Sequence, residues 1–195
     1  AKYIKRVISP KNLEKSNEYF AELVKELHRR GMRVVIDGVF NHCGSFNKWM
    51  EREGVYLYKE GYEEKGATSR LTALTEVISG LKEEAHSEYE GWWGFQTLPK
   101  LDYEHSPELV EFILSTGAKW VSEPFGVDGW RLDVAADLGH SVKFNHKFWQ
   151  MFRKRVRSAN PEAFIFAEHY GDPQGWFNGK EWDSVMNYDA FMEPV

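Results

Sequence analysis

The chain has 195 residues, with 25 Lys+Arg against 30 Asp+Glu and a net charge of −5. A pI near 5.8 argues against nucleic acid as a partner, since such proteins present basic surfaces, and against a polybasic membrane anchor. No apolar run approaches the ~20 residues of a membrane helix, and the first residues lack the apolar stretch of a signal peptide. The expected compartment is the cytoplasm. An extracellular location stays open, because the chain does not begin with Met and its natural N-terminus reads as missing. The one cysteine, Cys43, excludes an intrachain disulfide.

Ser16 is placed to cap a helix with Phe20, Leu23, Val24 and Leu27 on one face. Gly31 follows Arg29-Arg30 as its stop. Residues 33–40 form a nearly continuous apolar run, as in strands covered on both faces of a parallel sheet. The interval 43–105 is far longer than a normal connection and weakly periodic, and reads as an irregular excursion. Ser106-Pro107-Glu108 then supplies an N-cap, a first-turn proline and a first-turn acid. Leu109, Phe112, Ile113 and Trp120 make that helix's buried face. A strand at 127–134 follows, then a helix over 141–158 with Phe144, Phe148, Met151 and Phe152 inward. Arg153, Lys154, Arg155 and Arg157 load its C-terminal end with cations. Strands at 163–167 and 184–188 complete the pattern. Strands alternating with helices predict an α/β fold with a parallel sheet and right-handed crossovers.

The strands turn charged at their C-terminal ends: Asp37 through Asn41 and His42, then Arg131 and Asp133, then Glu168 and His169. That edge of a parallel sheet is where α/β folds place their chemistry. Side chains at i and i+2 share a face, so Arg131 and Asp133 point the same way. The guanidinium is expected to hold Asp133 ionised, as a nucleophile requires. Glu168 follows an apolar run, and partial burial is expected to raise its pKa toward that of a proton donor. One carboxylate of each kind is the arrangement for glycoside hydrolysis; a spacing of about 5–5.5 Å means retention through a covalent intermediate.

At these residues the sequence resembles the α-amylase family of glycoside hydrolases. Asp37-Gly38-Val39-Phe40-Asn41-His42 resembles that family's first motif, at its third barrel strand. The run from Gly129 through Arg131 and Asp133 to Ala135 resembles the second, and Phe166-Ala167-Glu168 the third. The resemblance implies part of a (β/α)8 TIM barrel, about strands 3 to 6, with a domain B-like insertion after strand 3. The boundaries become 1–42 and 106–195 for barrel parts and 43–105 for the insertion. It implies Asp133 as nucleophile and Glu168 as acid/base. His42 would hydrogen-bond the sugar, Asp37 would order Arg131, and His169 would line the aglycone side. Asn41 and Asp102 match calcium-ligand positions of many relatives, with Lys100 nearby weighing against that. No organic cofactor is implied. The nearest branch is neopullulanase, cyclomaltodextrinase and maltogenic amylase, on Val39 to Gly44 and on Trp92-Trp93-Gly94-Phe95 leading into Leu98-Pro99-Lys100-Leu101-Asp102. Leu98, Asp102, Ala136-Asp137 and His169-Tyr170-Gly171 depart from that branch.

The implied activity is a retaining α-glucan hydrolase or transglycosylase, acting on α-1,4 links of starch, maltodextrin, cyclodextrin or pullulan. The alternative is a non-catalytic relative that binds glucan. By analogy the complete protein is a homodimer. The family's third acid, near its seventh strand, has no match here, so the piece alone is expected to be inactive. Trp92 and Trp93 are either a sugar-stacking platform or the packing of the insertion on the barrel, with packing favoured. His28, His140 and His146 read as surface residues and Cys43 as a bystander.

Overall fold

The computed structural model describes residues 9–45, 47, 49, 89–188 and 191. Most of the predicted excursion at 43–105 lies outside the described residues.

Helix α1 spans Pro10–Arg29 and begins earlier than Ser16, which sits inside it. Pro10 in the first turn explains the early start: its φ is preset for the helix and it has no N–H to satisfy. Phe20, Ala21 and Val24 face the core, whereas Leu23, expected inward, is half exposed. Gly31, at φ +74°, ends the helix in the left-handed region that favours glycine.

Four strands follow: β1 Val35–Gly38, β2 Gly129–Leu132, β3 Phe164–Ala167 and β4 Ser184–Val185. They form one sheet in the order β1-β2-β3-β4, with every pairing parallel. Helix α2, Pro107–Val121, joins β1 to β2 after the insertion, and α3, Val142–Ala159, joins β2 to β3. Ser106 and Ser141 cap them, each accepting from a backbone N–H three residues on, at 3.3 Å. This is the expected α/β architecture of consecutive strands with helices on one face, as in part of a (β/α)8 barrel.

The register sorts the side chains. Ile36, Trp130 and Ile165 align across three strands, as do Gly38, Leu132 and Ala167. These residues face α2 and α3, where Leu109, Ile113, Phe148, Phe152 and Val156 close the core. The opposite face carries Val35, Gly129 and Phe164 in one row and Asp37, Arg131 and Phe166 in the next. Contrary to the expectation of strands buried on both sides, Val35 and Phe164 are exposed. In a closed barrel that face looks inward, and the described residues form an arc of four strands. Phe112, also expected inward, is half exposed and meets Trp49 edge-on at 5.5 Å. The cations of α3 do more than load its end: Arg153 and Arg157 reach Asp183 at 2.7 and 3.0 Å, and Arg155 reaches Glu111 at 2.8 Å.

Gly129 shows how tightly the strands sit. A Cβ there would lie 2.1 Å from the Phe164 carbonyl oxygen, a backbone atom that cannot turn aside. Gly129→Ala is expected to cost about 3 kcal/mol, the upper end for overpacking, read as a lower urea midpoint. An unchanged midpoint would show that β2 and β3 can part at no cost.

Candidate active site

Three acids converge on one guanidinium at the C-terminal ends of β1, β2 and β3. Arg131 donates from Nη1 to Asp37 at 2.7 Å and to Asp133 at 2.6 Å, and its Nη2 faces Glu168 Oε2 at 2.8 Å. Strand parity brings this about, since Asp37, Arg131, Asp133 and Glu168 all leave the sheet on the face away from the helices. Asp133 and Glu168 thus face one guanidinium, one at each of its terminal nitrogens.

Glu168 is buried and fully engaged. Oε2 accepts from the Val134 N–H at 3.1 Å as well as facing Arg131. Oε1 accepts from the phenols of Tyr170 at 2.8 Å and Tyr188 at 3.0 Å, whose rings lie 4.5 Å apart. Val134 pays for its part in strain: a β-branched residue at φ 37°, ψ 47° occupies the left-handed region. The turn is held from below by α3. Trp149 donates to the Ala135 carbonyl at 2.7 Å, and Asn145 bridges the Ala136 carbonyl and the Gly139 N–H, both at 2.6 Å. Nothing in the sequence reading marked Tyr170, Tyr188, Val134, Trp149 or Asn145 for these tasks.

The charge order differs from expectation. Burial, together with the neighbouring Glu168 carboxylate, raises the Asp133 pKa despite the opposing pull of Arg131. For Glu168, burial acts upward, but the Tyr170 phenol, the Val134 N–H and the Tyr188 phenol outweigh it and bring the pKa down. The sequence reading counted Arg131 for Asp133 alone and missed the donors that tertiary structure delivers to Glu168. The donors gathered on Glu168 thus favour its charged form, while Asp133 holds a proton more firmly than an ordinary aspartate.

His42 stands beside this pair. Burial lowers its pKa, against the field of Asp133, so it is neutral at pH 7. Its ring stacks on Trp92 at 5.4 Å, and Trp92 on Trp93 at 4.9 Å. Trp92 is a packing residue, with its indole N–H on Asp137 at 3.2 Å, while Trp93 is largely exposed. His169 is not drawn into the acid cluster. Its Nε2 meets the Asp172 carbonyl at 3.3 Å, and its ring lies 5.7 Å from that of Trp182. The three histidines expected at the surface are paired rather than idle: His28 with Asp128 at 2.7 Å, His140 with Glu90 at 3.0 Å and His146 with the buried Glu181 at 2.9 Å. Burial pushes the Cys43 thiol up to about 12, which keeps it an unreactive thiol.

Asn41 and Asp102 do not fit a shared calcium ion. With its amide turned to satisfy its neighbours, Asn41 gives its NH2 to the Asp137 carbonyl at 2.5 Å and takes the Trp92 indole N–H at 3.2 Å. The ammonium of buried Lys100 lies 3.3 Å from that side chain and donates to the same Asp137 carbonyl at 2.7 Å. A divalent cation would have to sit beside this charge. Asp102 is directed to His105, at 2.9 Å. Lys100→Met removes the donor to Asp137 and is expected to cost about 1–2 kcal/mol, measured as a lower urea midpoint; an unaltered midpoint would mean that the ammonium ties nothing together.

Comparisons with known proteins identify the family. The chain is 34% identical over 184 residues to neopullulanase 2 of Thermoactinomyces vulgaris, covering 90% of this chain and 27% of that protein. It is 33% identical over 179 residues to an intracellular maltogenic amylase of Bacillus subtilis, covering 91% and 27%. Among solved structures, the debranching enzyme of Nostoc punctiforme superposes with a TM-score of 0.65 at 35% identity, covering 88% of this chain and 33% of that one. The chain thus spans about a quarter of the length of these curated relatives. The motifs at Asp37, Asp133 and Glu168 all fall inside residues 15–194, which match the model of the alpha-amylase catalytic domain, and the chain belongs to that family.

Proposed function

We propose that the protein containing this chain is a retaining α-glucan hydrolase or transglycosylase that cleaves α-1,4-glucosidic bonds in starch, maltodextrin, cyclodextrin or pullulan. The observation that carries the reading is the convergence of Asp133 and Glu168, from neighbouring strands, on the guanidinium of Arg131. Asp133 attacks the anomeric carbon. The electrons of the breaking C–O bond pass to the leaving oxygen, which takes a proton from Glu168. In the second half Glu168 takes a proton from water or from an acceptor sugar hydroxyl. That oxygen attacks the anomeric carbon and releases Asp133 as a carboxylate. Arg131 screens the pair throughout, with Asp37 orienting it, and neutral His42 is placed to donate or accept at the bound glucose. His169 lines the acceptor side. No organic cofactor is required. A cytoplasmic location is supported by the description of the Bacillus subtilis relative as intracellular, and no helix among the described residues is long and apolar enough to cross a membrane.

The test is the anomeric configuration of the first product. The complete protein, given maltotriose or a cyclodextrin and followed by proton NMR before mutarotation, is expected to release the α-anomer. Release of the β-anomer would contradict a covalent intermediate on Asp133, and no cleavage of any α-glucan would remove the reading altogether.

A further inference from the structure

The two oxygens of Glu168 are in unlike positions. Oε2 is held by Val134 and Arg131, groups fixed by the sheet and the turn that follows it. Among the described residues, Oε1 is held by two phenols, Tyr170 and Tyr188, and Tyr170 is 53% exposed. A proton donor must present an oxygen to the glycosidic oxygen it protonates, within about 2.6–3.2 Å. An approach to Oε1 meets the Tyr170 phenol, which donates to it at 2.8 Å. We propose that Tyr170, assisted by Tyr188, is a positioning residue that clamps Glu168 by hydrogen bonds to Oε1 in the free enzyme and is displaced from Oε1 by the arriving glucan. This rests on the reading of Glu168 as the acid/base.

The clamp accounts for how one proton serves two acids. While the phenols donate to Oε1, they favour the anion on Glu168 over the anion on Asp133. When a sugar displaces the phenols, Glu168 loses donors that favoured its charged form. The proton then moves from the Asp133 carboxyl oxygen to Glu168, and the negative charge moves the other way. The pair keeps one proton and one charge, now as nucleophile and acid. The other groups facing Glu168 are Arg131 and Asp133 from β2, Asp37 of β1 through Arg131, and His42 beside Asp133. None of them leaves when a sugar binds at Oε1.

The sign of the effect follows from the donors. On the acid side, the doubly protonated pair must lose a proton to become active, and a phenol that stabilises the anion helps that loss. Tyr170→Phe in the complete protein therefore moves the acid limb of kcat/KM, which reports the free enzyme, to higher pH. A charge-assisted hydrogen bond is worth about a factor of ten, and Tyr188 retains part of it. Taken on that limb and relative to its own plateau, kcat/KM for maltotriose is expected to fall about three- to tenfold. The acid limb of kcat, which reports the complex with the phenol already displaced, stays in place. Tyr188→Phe moves the same limb in the same direction. A kcat/KM profile that superimposes on the wild type after scaling, or a kcat limb that moves equally, overturns the clamp. The carboxyl 13C shift of Glu168, assigned by its absence in Glu168→Gln, follows the same titration without turnover. A midpoint unmoved by Tyr170→Phe overturns the clamp even if glucan is cleaved. A midpoint that rises in a protein cleaving no glucan supports the clamp and sinks the glycosidase reading instead.

Discussion

Asp133→Asn in the complete protein is expected to abolish turnover of maltotriose or cyclodextrin, with kcat falling by about 10⁴ or more, because the covalent intermediate has no other oxygen to form on. Glu168→Gln removes the proton donor and is expected to cost about 10²–10⁴. Its loss should shrink with substrates whose leaving group needs no proton, such as a glycosyl fluoride, whereas the loss in Asp133→Asn should not. Steady-state kinetics on both substrate types separates the two roles. Residual activity above about a tenth of wild type in either variant would contradict the assignment.

Arg131→Met carries the next largest effect, on stability as well as rate. The guanidinium makes one network of Asp37, Asp133 and Glu168, and its own side chain is four-fifths buried. Its pKa is pushed up by Asp37 and Asp133 against the cost of burial, so its charge persists at any ordinary pH. Without it the two partly buried carboxylates face each other with no cation between them. Breaking such a network by removing one partner costs about 3–5 kcal/mol when fully buried. The exposed Asp37 contributes little, so about 3 kcal/mol is expected here. Arg131→Lys should recover only part, because a point charge cannot serve three carboxylates as a planar fork does. Urea unfolding at pH 7 and kcat of the same variants check this. Equal stability of Arg131→Lys and wild type would show that charge alone matters.

Much of this was legible from local rules. The cap at Ser106 and the stop at Gly31 are one-residue signals with one physical cause each. The convergence of Asp37, Arg131, Asp133 and Glu168 follows from the period of two, and the parallel sheet aligned Asp37 with Arg131 in register. What failed depended on partners from elsewhere in the chain. Ser16 has capping chemistry, yet Pro10 starts the helix first. Phe112 fits the apolar face of α2 by period, but Trp49 holds it outside the core. The downward shift of Glu168 was not legible because Tyr170 and Tyr188 reach it from two separate loops. Asn41 and Asp102 fit a calcium site by motif, yet Lys100 brings its own cation to Asn41. The strand geometry was local information, whereas the electrostatics belonged to the assembled loops.

The most direct test traps the covalent intermediate. The complete protein carrying Glu168→Gln, incubated with α-maltosyl fluoride, forms its glycosyl-enzyme without needing an acid and hydrolyses it slowly. Proteolysis and tandem mass spectrometry are expected to find maltose esterified to Asp133. An adduct on any other side chain, or none on a protein that still cleaves maltotriose in wild-type form, would contradict the account.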